Sequence, residues 1–305
     1  MIRFDRDLLQ AFEDQLKPWD PESGRIPAKI LGYGEISAVL QIPGMDHLAF
    51  KRLPPFESPA QRQAYRAAVE AYCDLLQNKH HVEVVDYRCV ELDNRAGEPI
   101  LYIAQPLLPA QAIGNQFLRS CSDQQFNELL TEILQRLLRI WQANERNGPA
   151  ELVGLDAQVS NWAYWPASEK HATRLQYFDI STPFIRRHGR ETLQPEIFLK
   201  SVPSFLVWLV RWAFLQQVLD RYYDLRLVLI DFVANFHKEK LQHRIDAAVA
   251  GINAFLQGPA AALKIAPLQR KEIDKYYRED AFIWTIFLNF RRLDRFLKTR
   301  LLRQT

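Results

Sequence analysis

A proline-flanked break, Pro106-Leu107-Leu108-Pro109, divides this 305-residue sequence into two parts with different hydrophobic periodicity. Before the break, short apolar runs alternate with turn residues, which is typical of an antiparallel sheet. After it, apolar residues recur at every third or fourth position, which is typical of helices. Because proline interrupts regular structure, we expect a domain boundary here. The sequence therefore predicts an α+β chain with a small sheet-containing part at 1–105 and a larger, mainly helical part at 106–305.

The first part is predicted to hold an amphipathic N-terminal helix, five strands and one internal helix. Ser58 followed by Pro59 has the form of an N-cap and an N1 proline, so a helix should run from there to about Asn78. Tyr65, Val69, Tyr72 and Leu76 would form its apolar face. The strands are expected at 30–31, 38–42, 48–53, 82–92 and 100–105.

The second part is predicted to be helical except for one short hairpin. Ser122 to Gln125 has the form of a capping box, which should begin a helix running to about Asn144. Two short strand candidates, Trp162 to Trp165 and Arg174 to Phe178, then interrupt the helices. After Pro195 the pattern returns to helix in about four or five segments.

Composition excludes several classes of protein. Hydrophobic residues make up 48% of the chain and charged residues 25%, as in an ordinary globular protein. The net charge of +3 is too small to indicate a nucleic-acid-binding protein. The most apolar region, 202–236, is interrupted by charged residues and predicts core helices, not a membrane span. Three cysteines, an odd number, and an acidic N-terminus that does not resemble a signal peptide predict a cytoplasmic protein.

Two features of the predicted sheet are typical of a phosphate-binding site. Gly32, Gly34 and Ser37 form a G-x-G-x-x-S run between strands, where glycines allow backbone N–H groups to approach phosphates. Lys51 stands at the end of the returning strand, in the setting Ala-Phe-Lys, which suits a lysine that pairs with nucleotide phosphates. Glu70, on the following helix, could hold that lysine. Taken singly, the glycine run is more typical of an ordinary hairpin, and Lys51 and Glu70 are more typical of solvated surface charges.

Two polar segments of the second part suit phosphoryl transfer. Asp156 and Asn161 have the D-x-x-x-x-N spacing in which the aspartate accepts a hydroxyl proton and the asparagine binds a metal ion. Asp179 ends an apolar strand, where a carboxylate can bind Mg²⁺. Alone, the first pair is also typical of a polar loop and Asp179 of a strand cap. Their order along the chain, after the glycine run, the lysine and the helix glutamate, favours the catalytic interpretation.

In this order of motifs the chain resembles the protein-kinase-like superfamily, most closely its aminoglycoside, choline and homoserine phosphotransferases. The resemblance covers about residues 26–182. It implies a bilobal fold with ATP or GTP in the cleft and a small-molecule hydroxyl as phosphoryl acceptor. The catalytic loop would lie within 152–181.

The resemblance also assigns roles to particular residues. Asp156 would be the catalytic base, and Asn161 and Asp179 would hold magnesium. The nucleotide would be bound by the glycine run, by Lys51 paired with Glu70, and by the backbone near Gln105 and Leu107, facing the base. These residues are therefore the predicted site.

The sequence departs from the family pattern in three places, and these departures support alternatives. Ser37 replaces the third glycine, Gly154-Leu155 replaces the usual His-Arg or His-Gly before the catalytic aspartate, and Ile180-Ser181 follows the metal aspartate. The chain could therefore be a pseudokinase, a binding module that acts on a protein partner through its helical part. The basic segment 291–298 could contact an anionic membrane surface, although a solvated final helix is the favoured explanation.

Overall fold

The computed structural model of this chain describes residues 2–18, 20–33, 37–169, 171–193 and 219–280. It is a mixed α/β protein, with a small antiparallel sheet in the first part and several helices in the second. This agrees with the α+β class expected from the sequence.

The sheet of the first part has five antiparallel strands in the order β1-β2-β3-β5-β4. All five predicted strands are present, although the fourth begins later than expected, at Arg88. The tight turn before β3 contains Gly44, whose φ of 86° is a left-handed conformation that favours glycine. The strands are β1 (Lys29–Tyr33), β2 (Ala38–Gln41), β3 (Leu48–Arg52), β4 (Arg88–Asp93) and β5 (Pro99–Pro106).

The predicted internal helix is confirmed as α2 (Pro59–Asp74), which lies between β3 and β4 in the chain. The side chain of Ser58 accepts a hydrogen bond from the N–H of Gln61 and so caps the first turn. One wider helical turn, Leu75–Lys79, extends the helix. The predicted apolar face is buried, and it packs against residues of the second part.

The N-terminal helix α1 (Arg6–Gln15) packs on the other face of the sheet from α2. Alternate residues of β5 face the two cores, so that this strand is buried on both sides. The buried carboxylate of Glu13 accepts two hydrogen bonds from Arg52, at 2.8 and 2.6 Å, and one from the hydroxyl of Tyr102. This fully paired buried charge fixes α1 on the sheet.

The second part consists of helices interrupted by short strands. The predicted capping box of Ser122 and Gln125 is confirmed at the start of the long helix Asp123–Asn147. The helices are α3 (Gly114–Phe117), α4 (Asp123–Asn147), α5 (Leu225–Lys238), α6 (Ile245–Gln257) and a helical run at 270–280. The strands are β6 (Glu151–Val153), β7 (Trp162–Trp165), β8 (Arg174–Tyr177), β9 (Ile185–Arg187) and β10 (Arg190–Glu191).

Residues 82–87 were expected to belong to the fourth strand, but they join the two parts of the chain instead. Val84 forms a parallel bridge with Tyr177, at the end of β8. The N–H of Tyr177 donates to the carbonyl of Glu83, and the N–H of Val85 donates to the carbonyl of Tyr177. Because these backbone groups bond to β8, they do not continue β4. The pairing holds the end of β8 against the first part.

Several predictions fall on residues that the structure does not describe. These are Gly34, residues 202–218 of the apolar region and the basic segment at 291–298. Among the described helices, none combines the length and the apolar character that a membrane span requires.

His80, just after α2, is a buried titratable residue without a compensating hydrogen bond in the described part of the chain. It is 1% exposed, and neither ring nitrogen has a partner. Burial and the nearby charge of Lys79 lower the pKa of His80 to about 4, while Glu151 acts in the opposite direction. Arg146 and His81 lower it further. The folded protein therefore disfavours the protonated imidazole.

We expect the free energy of unfolding to fall as the pH is lowered from about 6.5 to about 4. In this range the unfolded chain binds a proton at His80 that the folded chain does not, which favours unfolding by up to ~3 kcal/mol. Replacing His80 with phenylalanine should flatten the pH dependence, measured by urea unfolding at several pH values. The exposed His243→Phe serves as the control. An unchanged pH profile in His80→Phe would contradict this assignment.

Candidate functional site

An ion pair between Lys51 and Asp179 joins the two parts of the chain. The Nζ of Lys51, on β3, lies 2.6 Å from Oδ1 of Asp179, which follows β8. The two residues are 128 positions apart in the sequence. Their side chains are 15% and 27% exposed, so the pair lies partly buried at the junction of the two parts. The structure thus brings together two residues of the predicted site.

The carboxylate of Asp179 is held by more than one donor. The hydroxyl of Ser181 donates to the same Oδ1, at 3.0 Å, and the backbone N–H of Ser181 also bonds to the carboxylate. Burial alone would raise the pKa of Asp179, but the charge of Lys51 and these hydrogen bonds hold it below its ordinary value. Asp179 is therefore an ionised carboxylate at neutral pH.

Asp156 and Asn161 belong to one irregular loop that is tied to the segment before Asp179. The side-chain amide of Asn161 donates to the carbonyl of Asp156, at 3.2 Å, and so closes the loop. The N–H of Phe178 donates to the carbonyl of Asn161, at 3.0 Å. The carboxylate of Asp156 accepts the N–H of Gln158, at 3.1 Å. The loop that carries Asp156 and Asn161 thus lies against the residue adjacent to Asp179.

Packing requires glycine at position 154, one of the positions at which the sequence departs from the kinase-like pattern. A Cβ atom there would lie 2.7 Å from the carbonyl oxygen of Tyr222 and 3.1 Å from the Cβ of Phe184. The N–H groups of Gly154 and Leu155 donate to the carbonyls of Phe184 and Tyr222. The chain before Asp156 is therefore braced by neighbouring backbone.

A second brace of this loop was missed by the sequence analysis. The side-chain amide of Asn144, near the end of α4, donates to the carbonyl of Val153 and accepts its N–H, at 2.8 and 2.9 Å. The amide thus satisfies both backbone groups of Val153 at the edge of β6, as a neighbouring strand would. The sequence signal for this contact is an asparagine on the apolar face of an amphipathic helix, near the end of the helix.

Gln105 and Leu107, expected to face a nucleotide base, have other partners in the structure. The side-chain amide of Gln105 donates to the carbonyl of Phe178, at 3.1 Å. The N–H of Leu107 donates to the carbonyl of His47, at 2.8 Å, so it is engaged within the protein. The side chain of Leu107 is 37% exposed. Gln105 therefore connects β5 to the Asp179 segment.

The expected pair between Lys51 and Glu70 is not formed among the described residues. Glu70 is 46% exposed and pairs with Arg66 one turn earlier on α2, at 2.8 Å. Arg66 also bonds to Glu91 on β4, at 3.1 Å. The reason is helical periodicity: the face of α2 turned towards the second part carries Tyr65 and residues in register with it, and Glu70 lies outside that face. The partner of Lys51 is Asp179.

The glycine run is described only at its ends. Among the described residues, no atom other than those of its chain neighbours lies within 4 Å of the place where Gly32 would carry a Cβ, so their packing does not demand glycine there. Ser37 is buried at the start of β2, whereas Gly34 lies outside the described residues. Gly32 therefore leaves open space above the sheet.

Next to the loop, Asp231 on α5 faces Gln158 from the helical part. It is 6% exposed, and its carboxylate accepts from Gln158 at 3.3 Å, Asn235 at 3.1 Å and Tyr276 at 2.9 Å. Asp156, Asp231 and Arg221 line a small crevice. Four aspartates of the helical part, Asp220, Asp224, Asp231 and Asp246, cannot be placed relative to this loop from sequence periodicity alone. Of these, Asp231 is beside the loop, while Asp220 and Asp246 pair with arginines and Asp224 caps α5.

We expect Gly154→Ala to destabilise the protein, because the added methyl group would press on the backbone of Tyr222. An overpacked position of this kind costs about 1–3 kcal/mol, measured by urea unfolding. Gly32→Ala is the matched control, because its methyl group meets open space. Equal stability of the two variants would contradict the packing argument.

Comparison with known proteins assigns the chain to a family without assigning an activity. No curated protein matches the chain significantly. One family model matches residues 17–295, which is more than nine-tenths of the sequence and includes every residue of the site described above. The chain belongs to DUF6206, a family of unknown function.

Proposed function

We propose that this protein is a Mg²⁺-dependent phosphotransferase that moves the γ-phosphoryl group of ATP or GTP to a hydroxyl of a small molecule. The observation that carries the proposal is the ion pair of Lys51 and Asp179 beside the Asp156–Asn161 loop. These four residues were selected from the sequence for phosphoryl-transfer chemistry. They lie on three separate segments of the chain, β3, the loop and the residues after β8, and the convergence of these segments supports the proposal.

A kinase-like, bilobal fold is part of the same proposal. In its support, the first part has a five-stranded antiparallel sheet with one helix between β3 and β4. The second part has a long helix, α4, followed by the polar loop and the β7–β8 hairpin that leads to Asp179. The boundary proposed at 105/106 coincides with the end of β5.

On the nucleotide side, Lys51 would supply the positive charge for the phosphates. Its ammonium group is at the junction of the two parts, next to the segment that carries Asp179. The open space at Gly32 would allow the backbone to approach a phosphate group. The base would lie near the end of β5, beside Gln105 and Leu107, where the N–H of Leu107 is already bonded to the carbonyl of His47.

The residues present suit magnesium. Asp179 offers carboxylate oxygens and Asn161 an amide oxygen, and Mg²⁺ prefers oxygen ligands. Within the described ranges, no cluster of three or more His, Cys, Asp or Glu could hold a metal alone. Mg²⁺ is commonly bound by one or two protein ligands, with nucleotide phosphates as further ligands. When bound, the ion would neutralise charge on the phosphates.

Asp156 would serve as the base. It would accept the proton of the acceptor hydroxyl while the new O–P bond forms and the bond between the γ-phosphorus and the bridging oxygen breaks. The nucleoside diphosphate is the leaving group. Fixed orientation of the loop by Asn161 and Gly154 would contribute through positioning, since the loose transition state asks for little covalent chemistry.

A second candidate function is that of a pseudokinase binding module acting through the helical part. The position of Glu70 favours it, because the carboxylate expected to steady Lys51 instead pairs with Arg66. In this case Lys51 and Asp179 would form a structural ion pair between the two parts.

We expect ATP or GTP with Mg²⁺ to raise the thermal unfolding temperature of the protein. A ligand that binds only the folded state stabilises it by about 2.7 kcal/mol at one hundred times its Kd. The shift should require Mg²⁺ and be lost in Lys51→Ala and in Asp179→Ala. Lys79→Ala, which removes a lysine from an exposed ion pair with Glu151, is the control and should keep the shift. The absence of any shift in the unmodified protein would favour the binding module.

We expect Asp156→Asn to lower phosphoryl transfer at least 100-fold while keeping the Mg²⁺-dependent thermal shift. A general base contributes about 10²–10⁴-fold, and asparagine cannot accept the proton. The measurement is nucleoside diphosphate release with a panel of small hydroxyl compounds. Asp246→Asn, which changes a surface ion pair, should retain activity. Full activity in Asp156→Asn would remove this assignment.

A further inference from the structure

Helix α2 reaches both segments of the site through two buried tyrosines. The hydroxyl of Tyr65 donates to the carbonyl of Ser181, at 2.6 Å. The hydroxyl of Tyr72 donates to the carbonyl of Gly154, at 2.9 Å. Seven residues are two helical turns, so the tyrosines lie on one face, about 10.5 Å apart along the axis. Each accepting residue is two positions from an aspartate of the site.

The contact of Tyr65 continues to Asp179 and Lys51. Ser181 accepts the tyrosine hydroxyl with its carbonyl, while its own hydroxyl and N–H bond to the carboxylate of Asp179. That carboxylate in turn binds Lys51. A chain of directed hydrogen bonds therefore runs from α2 to the ion pair. The ring of Tyr65 packs against Phe56, with centroids 5.4 Å apart, so the hydroxyl has little freedom to move.

The contact of Tyr72 continues to the loop of Asp156. Gly154 is bonded on both sides: its N–H donates to Phe184 and its carbonyl accepts from Tyr72. Burial, and then the neighbouring Cys73, Asp179 and Asp156, raise the pKa of Tyr72 well above its ordinary value, so its hydroxyl keeps the proton that it donates to Gly154. Tyr72 thus holds the backbone of Gly154, at one of the two positions where the kinase-like pattern has a histidine motif.

We propose that Tyr65 and Tyr72 are positioning residues that use α2 as a rigid spacer to fix the Asp179 segment and the Asp156 loop relative to each other. In this chain the two tyrosines link α2 to the site, as Glu70 was predicted to do. The carboxylate of Glu70 is directed to Arg66, so it does not link α2 to the site. Two hydroxyl groups aimed at backbone carbonyls perform the linking instead.

The burial of the two hydroxyls explains why these contacts are firm. Both tyrosines are buried. A buried carbonyl that loses its hydrogen-bond donor has no water to replace it, which costs free energy. Phenylalanine at either position keeps the ring and removes only the hydroxyl. The substitutions Tyr65→Phe and Tyr72→Phe therefore test the hydrogen bonds separately from packing.

The experiment is hydrogen exchange, followed by mass spectrometry, on the full chain without ligand. In Tyr65→Phe, the amides of 179–181 should exchange about tenfold faster, with 154–155 unchanged. In Tyr72→Phe, the amides of 154–155 should exchange about tenfold faster, with 179–181 unchanged. The control is Tyr102→Phe, which removes a buried hydroxyl bonded to Glu13 on the other face of the sheet and should alter neither segment.

A second readout rests on the proposed function and separates the two tyrosines. Tyr65→Phe should weaken Mg²⁺-dependent nucleotide binding about tenfold, because it loosens Asp179. Tyr72→Phe should keep that binding and lower kcat for transfer, because it loosens Asp156. Tyr102→Phe should keep both.

The two readouts fail in different ways. If the exchange of both segments matches that of Tyr102→Phe, the positioning role is overturned whatever the protein binds. If exchange changes locally as expected but the unmodified protein binds no nucleotide, the positioning role stands and the phosphotransferase proposal falls. A uniform increase of exchange throughout the chain would also overturn the role, because it would mean a general loss of stability.

Discussion

The ion pair between Lys51 and Asp179 is the contact on which the arrangement of the site depends. It joins a strand of the first part to the end of a hairpin in the second, across 128 residues. A partly buried pair at 2.6 Å is stable only when its remaining groups are satisfied, and Ser181 supplies that by donating to the same carboxylate. The surrounding contacts from Gln105, Asn161 and Tyr65 all hold the Asp179 segment in place.

The site is built mostly from side chains that hold backbone. Tyr65, Tyr72, Asn144 and Gln105 each donate to a carbonyl of a segment that precedes or follows an aspartate. Irregular segments have few partners of their own, so buried backbone groups must find them elsewhere. Such hydrogen bonds position the polar loop without adding charge to it.

Much of the fold was predictable because local patterns and tertiary packing agree. The cap at Ser58, the capping box at Ser122 and the alternation of the five strands all specify the same elements as the structure. The prediction was wrong at residues 82–87, where an apolar run pairs with β8 instead of continuing β4. A strand-like pattern gives the conformation of a segment but not its neighbour.

The sequence by itself determined the elements, their order and the candidates Lys51, Asp156, Asn161 and Asp179, because helix periodicity, caps and polar spacing are local properties. Only the tertiary structure decided the partners. Lys51 meets Asp179 and not Glu70, since the rotation of α2 about its axis is set by the packing of its apolar face. The same rotation turns two tyrosines, which the sequence presents only as core residues, towards the backbone of the site.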